Sequence, residues 1–267
     1  METVTQLLDT TFAPLVLLFT VSNLGAMGLQ VRMPEVAAAL RNRKAVALIF
    51  MWGWVLGPAV GLLITRILPL EEPYVIVVLL ASLAPCAPFL QQMVSKARGD
   101  MGFAGALIPV VAVGTVVLMP LLAPLLIKGL TISTWALAKP LLLTILLPLV
   151  VGAAFRHYAD NTATRVFPAV GVFAKLTTLA TIVWCLVLYG RGMLNTAGEF
   201  ALLAMTVFMV GMGAITYWLG FGMKQNQRSV MALGMGTRNV AAVLAAALAI
   251  PDADPRILVM TIMWTLW

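Results

Sequence analysis

The chain is predicted to be an all-α polytopic membrane protein, and three observations carry that prediction. Hydrophobic residues fill 62% of the 267 positions and charged residues only 10%, with a mean hydropathy of +1.02. Such a composition leaves too little polar side chain to coat a soluble domain. The apolar residues come in blocks of about 20, the length of a helix crossing roughly 30 Å of hydrocarbon, without the alternation of an outer-membrane barrel. The basic residues, finally, sort by loop parity. Eleven of the 17 fall in alternate connections: Arg32, Arg41, Arg43 and Lys44, then Lys96 and Arg98, then Arg156, Arg165 and Lys175, then Lys224 and Arg228. The opposite side holds Arg66, Lys128, Lys139, Arg191 and Arg256. By the positive-inside rule the richer side is cytoplasmic and the N-terminus lies outside, as in a bacterial inner (plasma) membrane. The net charge of +7 then reports topology, no nucleic-acid partner is needed, and contact of these loops with anionic lipid is a secondary reading.

Eight apolar blocks follow one another, near 11–30, 45–68, 74–94, 101–126, 135–154, 170–189, 200–222 and 230–250. The first has Glu2 and Asp9 but no Lys or Arg ahead of it, so it reads as a span and not as a cleaved signal. In the second, Gly53, Gly57 and Gly61 recur every four residues, a small-residue ladder for close helix packing. The third is cut at its centre by Pro85 and Pro88 in LAPCAPFLQQ, where each proline removes a backbone donor. The fourth to seventh run on without such a cut; the connection 156–168 admits a brief amphipathic segment at the interface, and Trp residues near span ends suit interfacial belts. Lys175, one turn inside the sixth block, reads as snorkelling to the interface. The eighth is interrupted by GMGTRN, where Gly234 and Gly236 weaken the helix and Thr237, Arg238 and Asn239 bring polar groups. A ninth begins at Ile257 but has only about 11 residues, too few to cross at 1.5 Å each, so the last span reads as truncated.

Irregular backbone at membrane depth survives only where protein buries it or a wet cavity serves its orphan groups. Two such breaks in corresponding positions point to a substrate site between two inverted repeats, here residues 1–128 with spans 1–4 and residues 129–267 with spans 5–9. The ten acidic residues all lie in ends or connections, so no carboxylate is expected at mid-membrane to bind a hard cation or relay protons. Cys86 and Cys185 give no disulfide framework and no metal spacing, and Cys86 reads as a packing residue before a soft-ion ligand. The sole histidine, His157, falls in a cytoplasmic loop. Arg238 is the clear mid-span charge, costing about 2.5–3.5 kcal/mol on insertion scales before compensation. Either its guanidinium caps carbonyls freed by the breaks, or it also binds a substrate carboxylate or sulfonate through its planar fork. Gln91, Gln92, Thr237 and Asn239 are candidates to orient that substrate; interhelical hydrogen bonding, worth about 0.6 kcal/mol each, is the alternative.

The run RNRKAVALIFMWGWVLGPAVGLLITRILPLEEPYVIVVLLASLAPCAPFLQQMVSKARGD resembles one family, the bile acid:sodium symporters, in its basic turn, long helix and first crossing helix ending in an Arg-Gly-Asp turn. GMGTRNVAAVLAAALA is similar to that family's second crossing helix, and the ordered resemblance covers about residues 30–267. It implies about nine transmembrane helices in a panel domain and a core domain containing two crossed, broken helices. It also implies a sodium cage that this chain departs from. Gly234 stands where the family has a sodium-ligating glutamate, Arg238 where it has glutamine, Leu90 and Gln91 for a Ser-Asn pair, Ala104 and Ile108 for hydroxyl ligands, and Gly53 for a glutamine; Asn239 matches.

The expected function is therefore secondary transport of a small organic anion by alternating access, with Arg238 as a fixed cation at the crossover and sodium coupling weakened or absent. No cofactor or side-chain metal site is expected, though backbone carbonyls could hold a sodium ion weakly. The runner-up is a non-transporting receptor or scaffold on a transporter fold. An enzyme is disfavoured, since no Ser-His pair, metal set or mid-membrane acid pair exists to run a reaction. Because an anion entering against an inside-negative potential costs about 2.3 kcal/mol per charge per 100 mV, uncoupled flux would run outward or by exchange. Substrate identity and oligomeric state are not read from the sequence.

Overall fold

The computed structural model describes the backbone of residues 2–130, 132–197 and 200–266, and the side chains of those residues other than 2–9, 13, 39, 189, 191–197, 265 and 266. The side chains of Glu2, Asp9, Arg191 and Glu199, and the last residue of the ninth block, lie outside that description. Fourteen α-helices order the described chain: α1 (Glu2–Gly28), α2 (Met33–Arg41), α3 (Arg43–Phe50), α4 (Gly57–Ile67), α5 (Glu72–Ser82), α6 (Leu90–Lys96), α7 (Met101–Leu126), α8 (Thr134–Leu141), α9 (Leu147–Tyr158), α10 (Asp160–Ala197), α11 (Ala201–Trp218), α12 (Gln225–Gly236), α13 (Val240–Ala247) and α14 (Pro255–Leu266). Among the described residues no strand forms beyond one isolated backbone bridge, from Pro85 to Arg238.

Six helical runs are long and apolar enough to cross a bilayer: Thr10–Gly28, Arg43–Ile67, Met101–Leu126, Thr134–Tyr158, Asp160–Leu188 and Ala201–Trp218. Two of them contain a π-helical turn, Met51–Leu56 between α3 and α4 and Leu142–Leu146 between α8 and α9. In both, the amide after the turn reaches five residues back, Gly57 to Trp52 and Leu147 to Leu142, immediately before a proline, Pro58 or Pro148. A proline amide cannot complete the ordinary ladder, and the wide turn absorbs the gap. The other two expected spans are each two half-helices, α5 with α6 and α12 with α13, and α14 is a shorter apolar helix.

Glycines set how closely these helices approach. A Cβ on Gly28 would lie 2.4 Å from the Leu149 carbonyl and 2.9 Å from the Cα of Gly152, so α1 and α9 meet backbone to backbone. The Gly53, Gly57, Gly61 ladder does the same against the end of α5, where a Cβ on Gly57 would be 2.9 Å from the Ser82 carbonyl and one on Gly61 3.0 Å from the Ser82 Cβ. Small residues do this work in lipid, where apolar area alone gives helices little reason to associate. One group of contacts ties α1 to α9 and α10; another ties α11 to α12 and α13 to α14 and α5.

Several expectations are corrected. The connection at 156–168 holds no separate interfacial segment: α9 runs to Tyr158 and α10 starts at Asp160, passing through Pro168. Arg156 ties the two together by a 2.8 Å ion pair to Asp160 and a 2.7 Å hydrogen bond to Thr164. His157 accordingly sits in the last turn of α9, not in a loop. Lys175 lies well inside α10 and is exposed, not one turn from a helix start. The short amphipathic helix is instead α2, between the first two spans. Trp135 and Trp218 are exposed as a belt requires, but Trp52, Trp54 and Trp264 are buried, and Trp54 donates its indole N–H to the Leu83 carbonyl at 3.1 Å.

Candidate functional site

The two breaks meet. α5 ends at Ser82 and α6 begins at Leu90; α12 ends at Gly236 and α13 begins at Val240. Their linkers pair as a miniature antiparallel bridge. The Cys86 amide donates to the Gly234 carbonyl at 2.8 Å and the Thr237 carbonyl at 3.0 Å, and the Asn239 amide donates to the Ala84 carbonyl at 2.8 Å. The Thr237 hydroxyl oxygen accepts from the Ala87 amide at 3.2 Å. Backbone groups that two interrupted helices would expose to hydrocarbon are thereby satisfied across the pair. Cys86 adopts a left-handed φ of 72°, a conformation a β-carbon disfavours, and its buried side chain sits under this bridge. Asn239 caps α13 by accepting from the Ala242 amide at 3.2 Å.

Arg238, 3% exposed, occupies the crossing point. One Nη donates to the Ala81 carbonyl at 3.3 Å and the other to the Met235 carbonyl. These carbonyls belong to the last turns of α5 and α12, so the guanidinium rests on the negative ends of two half-helices. Its carbon also stands 4.6 Å from the centre of the Phe208 ring, a cation–π contact of the desolvated kind. The Nε has no hydrogen-bond partner among the described residues.

On one side of the crossing lies a cavity of about 230 Å³, bounded by Pro88 and Phe89 at the first break, Thr237, Arg238, Val240 and Ala241 at the second, and Asn23 of α1 and Thr178 of α10 on the facing wall. The first turn of α13, whose leading amides have no intrahelical carbonyl, borders it, so backbone and side chain contribute positive potential together. Asn23 donates its amide to the Thr178 hydroxyl at 3.0 Å and to the Phe19 carbonyl at 2.9 Å. Of the residues singled out in the sequence, Pro88, Thr237 and Arg238 border the cavity. Asn239 lies beneath as a cap, Gln92 is exposed, and the Gln91 amide lies beside Gly105, 3.6 Å from where a Cβ would be, with a Glu35 oxygen at 3.1 Å from the same point. Asn23 and Thr178 were missed; each sits among other small polar residues, Thr20 and Ser22 in one block and Thr177 and Thr181 in the other, that mark neither out.

The residues present do not fit a side-chain sodium cage. A Cβ on Gly234 would lie 2.8 Å from a Leu107 methyl and 3.6 Å from a Leu90 methyl, so the space a glutamate would need is filled with hydrocarbon. Gly53 faces Pro85 and the Met235 sulfur, and Ala104 and Ile108 are buried without an oxygen to offer. The two carbonyls nearest the crossing already bind the guanidinium.

Apolar spans with paired breaks at their centre and a buried charge beside a cavity define a polytopic helical membrane protein. The family model described as the Sodium Bile acid symporter family matches residues 14–195, about two-thirds of the chain, and the protein belongs to that family. The match takes in the first break and stops before the second. Among curated relatives, the chain is 22% identical over 195 residues to a protein of Oryza sativa subsp. japonica described as a probable chloroplastic sodium/metabolite cotransporter BASS3, covering 73% of this chain and 46% of that one. It is 23% identical over 227 residues to the protein of the same description from Arabidopsis thaliana, covering 84% and 53%. The chain thus spans about half the length of these relatives.

Proposed function

We propose that the protein is a secondary transporter of a small organic anion, working by alternating access, with Arg238 as a built-in cation in place of a sodium site. The observation that carries this reading is the cavity between the α1 and α10 wall and the paired breaks, with Arg238 and Thr237 on its inner side. In this reading α1, α8, α9 and α10 form a panel against which the remaining helices move as a core, and residues 1–128 and 129–267 are the inverted repeats. The close backbone approaches of α1 to α9 and of the Gly57 ladder to α5 support treating each group as a rigid body. The excess of basic residues in alternate connections supports an N-terminus on the outer side.

Arg238 serves both roles weighed for it. Its two Nη groups neutralise the helix ends, while the residual positive charge and the free Nε attract the carboxylate or sulfonate of a substrate whose body lies against Phe19, Phe89 and Trp264. A resident cation removes the need for a coupling ion to complete the site, which supports weak or absent sodium dependence. The hydrocarbon packed around Gly234 supports the same conclusion.

The test is flux of labelled organic anions in proteoliposomes for the wild type and Ala241→Trp, which fills the cavity while leaving the Arg238 charge in place. Flux in the wild type that the tryptophan abolishes is expected. Absence of flux for every anion in both directions would overturn transport in favour of a receptor or scaffold.

A further inference from the structure

A second opening, about 830 Å³, lies between α2, α7 and α9, away from the paired breaks. Its depth is apolar: Val113 and Val117 of α7 and Val150 of α9 remain 45%, 51% and 52% exposed there, so protein does not fill it. Along the α9 wall it runs from Leu146 to His157, which at 1.5 Å per residue is about 16 Å. That is close to half of the roughly 30 Å hydrocarbon core, the depth of one leaflet.

One end of the crevice is basic. Arg32 immediately precedes Met33 and Arg41 immediately follows Leu40, both lining residues, and Arg43 comes next, while the Lys44 ammonium is turned toward Gly222; all four basic residues are exposed. Among the described residues none of the four has an ion-pair partner. Two acids next to lining residues are turned elsewhere: Glu35 lies beside Gly105, and Asp160, two residues past Tyr158, is held by Arg156. We infer that this crevice binds an anionic phospholipid, one acyl chain lying between α7 and α9 and the headgroup phosphate lying against Arg32 and Arg41. The match is of length and of charge: an apolar slot one leaflet deep, opening beneath a basic rim, fits a lipid of that leaflet. A transported anion would find no polar partner in the depth. A second copy docked on the same face would bring two basic rims together.

The test is native mass spectrometry of the whole protein, purified in mild detergent and offered equal amounts of phosphatidylglycerol and phosphatidylcholine. Phosphatidylglycerol is expected to be retained over phosphatidylcholine, and Arg32→Gln and Arg41→Gln should each lower its retention by about fivefold. Both arginines are exposed, so neither change threatens the fold; Val113→Trp, which fills the slot with the rim intact, should also release the lipid. Equal retention of the two lipids, or phosphatidylglycerol retention unchanged in the arginine variants, would overturn the assignment. A lipid-free dimer would overturn it in favour of a second copy.

Discussion

Thr237 is the side chain that ties one break to the other, and its removal gives a measurable cost. Its hydroxyl oxygen accepts from the Ala87 amide at 3.2 Å across 150 residues of sequence while the hydroxyl donates to the Leu233 carbonyl at 2.7 Å within its own helix. Valine keeps the shape but leaves the Ala87 N–H, buried at 1% exposure, without an acceptor. An orphaned buried donor costs about 1–3 kcal/mol, which at about 2–4 °C per kcal/mol lowers the thermal midpoint by about 2–12 °C. Serine restores the oxygen and should recover most of that loss. The assay is thermal unfolding of the purified protein in detergent, comparing wild type, Thr237→Val and Thr237→Ser. A valine variant as stable as wild type, or a serine variant as unstable as valine, would refute the view that Thr237 is first a strut between the breaks.

Gly57→Val places a branched side chain where even a Cβ comes within 2.9 Å of the Ser82 carbonyl, and the overpacking should cost about 1–3 kcal/mol. Gly25→Ala, with nothing within 4 Å of its Cβ, should be neutral or slightly stabilising by the same unfolding assay. Between the α4–α5 and α13–α14 connections, Asp254 and Glu71 both bind Arg256, and the hydrogen bonds from Arg256 hold the Asp254 carboxyl below its ordinary value despite partial desolvation. A depressed carboxylate contributes stability above its unfolded value, near about 3.9, and loses it as pH falls through the lower folded one. Stability should therefore decline below about pH 4, with a shallower decline in Asp254→Asn, as measured by unfolding midpoints across a pH series.

The spans and both breaks were legible because their signals are local: block length, prolines at 85 and 88, glycines at 234 and 236. The charge at Arg238 was equally visible, since one arginine in an apolar run has few explanations. That it caps carbonyls freed by the breaks was readable too; which carbonyls was not, because Ala81 lies 157 residues away and a backbone carbonyl has no sequence signature. The same holds for Asn23 and Thr178, each unremarkable in its own helix and joined only when α1 packs on α10. The π-helical turns escaped because proline alone does not call for one; Pro109, Pro120 and Pro124 sit within α7 without it.

The central claim is that an arginine already fills the place of the coupling ion. The most direct measurement is anion flux in proteoliposomes with and without a sodium gradient, for the wild type and for Arg238→Gln. The fixed-cation account predicts wild-type flux indifferent to sodium and abolished by Arg238→Gln. Wild-type flux that collapses when sodium is withdrawn would contradict it.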